Sequence, residues 1–323
     1  MNILVMGTGG FIVPSLEALV ASKHHVVALV TMPVRSLRKD SKGGIPPVRA
    51  VADRLAIPML EPENVNDPEA LVLLKELEYE LIFICDYGKI LSREVIASAR
   101  FGGVNLHGSL LPQYRGAAPI NRAILDGQKE IGISIIHIVP EVDAGPVIAT
   151  DSYFPTQRET AVEIERELAR RGALLLLKAL DDIEQNRTVP LPQDSSLVSK
   201  APKLKKEEGL IDWDQTSDQI INRYRAMQPW PKTFSIWLRP NQDPLRLILG
   251  PFEKVSLTPE YESASTGTVV LAQDDMILIR TGDGIIRVLE VQPSGKKLMT
   301  AESFLRGYRM KAGEQFQKSI YTP

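Results

Sequence analysis

Leu81-Ile82-Phe83-Ile84-Cys85 places five apolar residues in succession, with no polar residue at every second position. A strand with one face in water alternates, whereas a strand covered by helices on both faces does not. Other β-rich runs lie at Ile3-Leu4-Val5-Met6, 26–32, 104–106 and 133–139. Helical patterns separate these runs at 11–21, 47–55, 68–77 and 117–125, and one long helix is expected over 160–183, its apolar positions crowding around 174–177 to close against the sheet. Strands alternating with helices predict an α/β domain built on a doubly wound, mostly parallel, Rossmann-like sheet over 1–186. A Pro- and Ser-containing stretch, 187–206, reads as a linker. Over 207–323 one helix at 217–227 is followed by short runs at 234–238, 245–249, 267–271, 276–280 and 285–291, the spacing of a smaller C-terminal β-barrel of OB-like type.

The 323 residues exceed one average domain of roughly 100–200 residues. With 44% hydrophobic and 24% charged residues and no long apolar run, a soluble protein free of the membrane is expected. The N-terminal residues read as a strand rather than a leader, and Cys85 is the only cysteine, so a cytoplasmic location is expected and no disulfide framework. The net charge is −2 and neither half is basic, so any contact with RNA must come from local clusters of Lys and Arg. The four histidines, His24, His25, His107 and His137, lack the helical pairing of a zinc site, and no metal is expected. His137 shares a strand face with Ile133 and Ile135, which predicts a packed residue; Cys85, ending an apolar strand, is expected to be buried and inert. Gly7-x-Gly9-Gly10 falls short of a dinucleotide fingerprint, because Ile12 stands where the third glycine belongs and no acid follows Val30-Thr31-Met32.

Chemistry concentrates in Val104-Asn105-Leu106-His107-Gly108-Ser109-Leu110-Leu111-Pro112-Gln113-Tyr114-Arg115-Gly116-Ala117-Ala118-Pro119. Asn105 and His107 are two apart at a strand end and leave the same face, at the sheet edge where α/β proteins place their sites. An amide donor beside an imidazole suits attack of an amine on a formyl carbon, since the oxygen that gains charge needs donors, each worth about 3 kcal/mol. Asp143 follows the strand at 133–139 and can reach the imidazole to orient it or relay a proton. The plain alternatives are a satisfied structural histidine and an ordinary turn aspartate.

Asn105-x-His107, Ser109-Leu110-Leu111-Pro112, Tyr114-Arg115-Gly116-x-Ala118-Pro119 and Asp143-x-Gly145 together resemble the formyltetrahydrofolate-dependent formyltransferases. The Arg115-Gly116-Ala117-Ala118-Pro119-Ile120 version is similar to the branch acting on charged initiator tRNA, and the resemblance continues through Ile211-Asp212-Trp213, Pro229-Trp230-Pro231 and Gln292-Pro293-Ser294-Gly295-Lys296-Lys297-Leu298-Met299, covering essentially the whole chain. It implies a monomeric enzyme of translation initiation that uses 10-formyltetrahydrofolate as co-substrate, with initiator methionyl-tRNA as partner. It assigns catalysis to Asn105, His107 and Asp143, and folate binding to Ser109, Leu110, Leu111, Pro112, Tyr87 and Gly88. The basic stretch Arg35, Arg38, Lys39 and Lys42, with Lys203, Lys205, Lys206, Lys296 and Lys297, is expected to meet tRNA phosphates.

Departures from the family pattern are Gly9-Gly10, where a proline and an acid are usual, Asp86, where a small residue is usual, and Pro146, where an aspartate is common. Two alternatives stand beside the tRNA reading. One is a formyltransferase for a nucleotide-linked amino sugar, to which Glu63-Asn64-Val65-Asn66 and Ala144 are reminiscent; the other is a catalytically silent RNA-binding relative.

Overall fold

The apolar run at 81–85 is the centre of a sheet. The computed structural model describes residues 1–33 and 46–317. From the N terminus the chain forms β1 (Asn2–Met6), α1 (Val13–Val20), β2 (His25–Val30), α2 (Pro47–Arg54), β3 (Met59–Leu60), α3 (Pro68–Lys75), β4 (Leu81–Ile84), α4 (Arg93–Ala97), β5 (Gly103–His107), β6 (Arg115–Gly116), α5 (Pro119–Leu125), β7 (Ile131–His137), β8 (Val147–Tyr153), α6 (Ala161–Glu184) and β9 (Lys200–Ala201). The main sheet has seven strands in the order β3-β2-β1-β4-β5-β7-β8. The first five run parallel, and β7 and β8 add antiparallel beyond β5. Leu4, Val5, Ile82, Phe83 and Val104 are wholly buried, as strands covered on both faces require.

Two features depart from the sequence pattern. β8 lies at the sheet edge with residues that are half-buried or exposed, so it carries no apolar run to reveal it. On α6 the buried stripe is Ile164, Leu168, Leu176 and Leu180, whereas Leu174, expected inside, is 62% exposed. The helical period of 3.6 carries Leu174 off the face that packs.

Contacts divide the chain into two units, Met1–Ile120 with Lys129–Pro155 and Glu163–Lys203, and Asn121–Gln128 with Thr156–Val162 and everything from Leu204 on. Within the second unit lie α7 (Ser217–Ala226), β10 (Phe234–Leu238), β11 (Leu245–Leu249), β12 (Phe252–Val255), β13 (Val269–Gln273), β14 (Met276–Arg280), β15 (Ile285–Val288), β16 (Glu290–Pro293), β17 (Met299–Thr300), α8 (Ala301–Tyr308) and β18 (Gln315–Phe316). The strands make two antiparallel sheets, β17-β16-β11-β10-β18 and β12-β15-β14-β13. The expected run 285–291 is two strands: the chain leaves one sheet after Val288 and enters the other at Glu290, with the Leu289 amide donating to the Pro251 carbonyl at 3.0 Å. Switching sheets at such a corner lets both enclose one core, which contains Trp213, Trp237, Leu247, Ile279, Ile286, Phe304 and Phe316. Among the described residues no helix is long and apolar enough to cross a membrane.

Trp213 is fully buried, lies 5.4 Å from Phe316 between ring centroids and donates its indole N–H to Ser235 Oγ at 3.0 Å. Truncation leaves a cavity and an unpaired hydroxyl. Trp213→Ala is therefore expected to destabilise the second unit by about 3–5 kcal/mol, measured as a shift of its unfolding transition in denaturant.

Candidate active site

β5 ends at the residues that matter. Asn105 pairs in register with Ile84 of β4 and Ile136 of β7, and His107 with Ser134 of β7, so both are held by strands on either side or by the neighbouring hairpin. His107 is buried, and its Nε2 lies 3.0 Å from the Tyr114 carbonyl oxygen. A carbonyl only accepts, so Nε2 carries hydrogen and Nδ1 is the nitrogen left for chemistry. Nδ1 faces Asp143 Oδ2 at 3.6 Å, an ion-pair separation rather than a hydrogen bond. Asp143 Oδ1 accepts from Asn105 Nδ2 at 3.3 Å, and Oδ2 accepts from the Gly116 amide at 2.8 Å. The three residues expected from the sequence thus meet at one carboxylate.

Asp143 lies in the turn between β7 and β8 with φ of 51°, and Tyr114 has φ of 60°. Such left-handed non-glycine backbone costs energy and must be held by its surroundings. Gly145 supplies part of that hold: a Cβ there would stand 1.7 Å from the His137 carbonyl oxygen, so only glycine lets the turn lie against β7. Pro146 lacks an amide hydrogen, but what the turn uses is its carbonyl, which accepts from the His137 amide at 3.0 Å. The departure at 146 therefore leaves the turn intact.

Gln193, to which the sequence reading gave no role, donates from Nε2 to the carbonyls of Asp143 and Gly145, each at 2.8 Å. Its Oε1 accepts from Arg115 Nε at 3.0 Å and Nη2 at 2.7 Å. Ser199 Oγ accepts from the Tyr114 amide at 2.9 Å, and β9 pairs with β6. These partners lie 48 to 85 residues apart in sequence, and a lone Gln among prolines offers no local pattern that could have announced it.

Ser109 and Leu111 are buried, and Leu110 and Pro112 partly so. Ser134 Oγ donates to the Ser109 carbonyl at 2.7 Å and accepts from the Leu111 amide at 3.0 Å, so this stretch is tied to β7 through two of its backbone groups. Tyr87 packs in the apolar core, where burial pushes its phenol up to about 12. Gly88 has φ of 75° and open space where a side chain would be. Lys205, Lys206, Lys296 and Lys297 are exposed in the second unit and Lys203 is exposed in the first, while Arg35, Arg38, Lys39 and Lys42 lie outside the described residues. Among the described residues no group of three or more His, Cys, Asp or Glu side chains could hold a metal ion. Cys85 is buried, and desolvation pushes its thiol well above the usual range. His137 is half-buried, which lowers its basicity.

Asp86 follows β4 with φ of 54°, and its carbonyl accepts from the Thr8 amide at 3.1 Å. A Cβ on Gly9 would stand 1.6 Å from Asp86 Oδ2, so the carboxylate fills the volume that a side chain at position 9 would need. The two departures from the family pattern are thus one exchange of volume. Desolvation by the protein around it pushes the Asp86 carboxyl up to about 6. Glu165 is raised as well, by burial first and by the negative charge of Asp86 second.

Because the folded state holds the Asp86 proton more tightly than the unfolded chain does, the folded state binds more protons between about pH 4 and 6, and this residue's contribution falls as pH rises through that window. Asp86→Asn removes the effect. The variant is expected to gain stability over the parent on going from pH 5 to pH 7.5, read from paired denaturant midpoints; a difference that stays constant across that range contradicts the raised carboxyl.

The Formyl transferase family model matches residues 1–180, and the model of its C-terminal domain matches 203–309. Methionyl-tRNA formyltransferase of Moorella thermoacetica is 40% identical over 97% of this chain and 98% of its own. The protein of that name from Rhodopirellula baltica is 38% identical, covering 98% and 96%. Among solved structures, an N-formyltransferase from Helicobacter canadensis, determined with folinic acid and dTDP-3-aminofucose, superposes with a TM-score of 0.61 at 17% identity, over 88% of this chain and 98% of that one, a likeness of fold. With both family models matched in order and relatives similar end to end, the chain belongs to the formyl transferase family.

Proposed function

We propose that the chain transfers the formyl group of 10-formyltetrahydrofolate to the free α-amine of methionyl initiator tRNA, with Asn105, His107 and Asp143 performing the chemistry. The observation that carries this reading is the meeting of the Asn105 amide and the His107 imidazole at the Asp143 carboxylate. Full-length similarity to proteins named for that reaction supports the choice of acceptor over an amino sugar, for which the likeness is one of fold. The side chains present fit a formyl oxygen: an amide and an imidazole stand together at the edge of the sheet. 10-Formyltetrahydrofolate supplies a carbon at the formyl level and departs as tetrahydrofolate. Asn105 Nδ2, and His107 Nδ1 in the imidazolium form, donate to the oxygen on which negative charge grows as the amine adds. Asp143 relays the proton that the amine sheds to N10 of the folate, whose bond to the formyl carbon breaks as tetrahydrofolate leaves, and the Tyr114 carbonyl fixes the imidazole so that Nδ1 faces the reaction.

Folate is held, in this reading, by Leu110, Pro112 and the open backbone at Gly88, with Ser109, Leu111 and Tyr87 shaping the wall behind them. The basic stretch at Arg35, Arg38, Lys39 and Lys42, and the lysines at 203, 205, 206, 296 and 297, meet tRNA phosphates. The enzyme works in the cytoplasm as a monomer.

Purified protein given 10-formyltetrahydrofolate is expected to formylate charged initiator tRNA and to leave a dTDP-linked amino sugar unreacted; turnover of the sugar at an equal or higher rate overturns the assignment of acceptor. Asn105→Ala is expected to lower kcat by about 100- to 1,000-fold, as loss of one oxyanion donor does, with tRNA binding retained in a direct binding assay. Since the amine attacks only when neutral, the rate is expected to fall on the acid side of neutrality; a flat profile from pH 5 to pH 9 contradicts amine attack.

A further inference from the structure

We propose that Gln193, braced by Arg115, is a positioning residue that sets the reach of Asp143, so that the connecting segment is part of the active site. The inference rests on the catalytic reading above and adds to it a group outside the family motif. Gln193 has a primary amide with two N–H donors and one carbonyl, and all of its capacity is used. Its two N–H groups go to the carbonyls of Asp143 and Gly145, and its oxygen receives both contacts from the Arg115 guanidinium. The orientation of this amide is fixed by chemistry: turned over, it would set oxygen against two carbonyls and N–H groups against a cation.

The consequence concerns Asp143 rather than Gln193. Asp143 has left-handed backbone, in a turn that cannot hold itself by strand pairing. The Gln193 amide grips that turn from the carbonyl side, while the Gly116 amide grips the carboxylate. Both grips trace to one place. Arg115 supplies the guanidinium that holds Gln193, Gly116 follows it directly, and the Arg115 amide donates to the Ser199 carbonyl at 2.9 Å while the Ala118 amide donates to the Ala201 carbonyl at 3.2 Å. Segment 193–201 thus binds both the loop that presents Tyr114 to His107 and the turn that presents Asp143. Released, Asp143 Oδ2 drifts from Gly116 and from His107 Nδ1; a misplacement of about 1 Å at a reacting group typically lowers the rate by about 100-fold.

Gln193→Met keeps the length and removes every hydrogen bond. Gln193→Glu keeps an acceptor for Arg115 but sets carboxylate oxygens against the two carbonyls. In formyl transfer to charged initiator tRNA, both variants are expected to lose about 100-fold in kcat with KM for 10-formyltetrahydrofolate nearly unchanged, as expected when transition-state contacts are lost and ground-state binding is kept. On the same samples, hydrogen exchange at the Gly116 amide is expected to quicken by about tenfold or more while amides of β1 and β4 keep their protection, because the opening is local. Exchange does not depend on the acceptor. If the parent fails to formylate tRNA yet Gly116 loosens in the variants, the clamp stands and the functional reading falls. If the parent is active and either variant keeps parental kcat and parental exchange at Gly116, the clamp is overturned. Uniform loss of protection across β1, β4 and Gly116 with a lowered melting temperature overturns it as well, since that outcome reports general destabilisation.

Discussion

A single carboxylate organises the site. Asp143 receives the Gly116 amide on one oxygen and the Asn105 amide on the other, and it faces the imidazole of His107. The partners come from two parts of the chain, the end of β5 and β6, and Asp143 itself from the turn between β7 and β8. A buried or half-buried carboxylate is tolerated only where donors replace the water it has lost. The requirement to satisfy Asp143 therefore draws these elements together, and of its two donors the Asn105 amide keeps a second N–H for a further acceptor, whereas the single Gly116 N–H is fully used.

The departures from the family pattern become intelligible in the same terms. Asp86 follows β4, and its carboxylate occupies the volume that a side chain at Gly9 would need. The exchange has an electrostatic consequence. Protein around Asp86 penalises its charge and raises its carboxyl to about 6, and its charge in turn raises Glu165. Pro146 is simpler, because the turn uses the carbonyl at that position and never calls on the missing amide hydrogen.

How much of this was legible follows from how local each signal is. β1 and β4 announce themselves because burial on both faces forces nearly continuous apolar sequence, and Asn105, His107 and Asp143 stand out as polar residues at or after the ends of strands. β8 stayed hidden because an edge strand needs no apolar run, and the division of 285–291 into β15 and β16 because a sheet switch is written in a distant partner, Pro251. Leu174 was misread because a cluster of leucines says nothing about which of them the helical period turns outward. Gln193 belongs to the same class as the sheet switch. Its meaning lies in three partners far away in sequence, and its neighbourhood of prolines and serines resembles any exposed connection.

That difference in legibility matches a difference in mechanical role. Asn105 and His107 belong to a strand inside a sheet, where displacing a side chain means breaking ladder hydrogen bonds on both sides or dislodging buried neighbours. Their placement is set by the fold and is as firm as the fold. Asp143 stands on a turn with left-handed backbone, and a turn of that kind holds its shape only as well as its tethers do. The precision of the site is therefore limited by its least supported member. What supports that member is the Gly145 approach to His137, the Gly116 amide and the doubly donated amide of Gln193. A chain that carried the motif residues without these tethers would keep its sheet and the strand-held Asn105 and His107 while losing the fixed placement of the Asp143 carboxylate beside them.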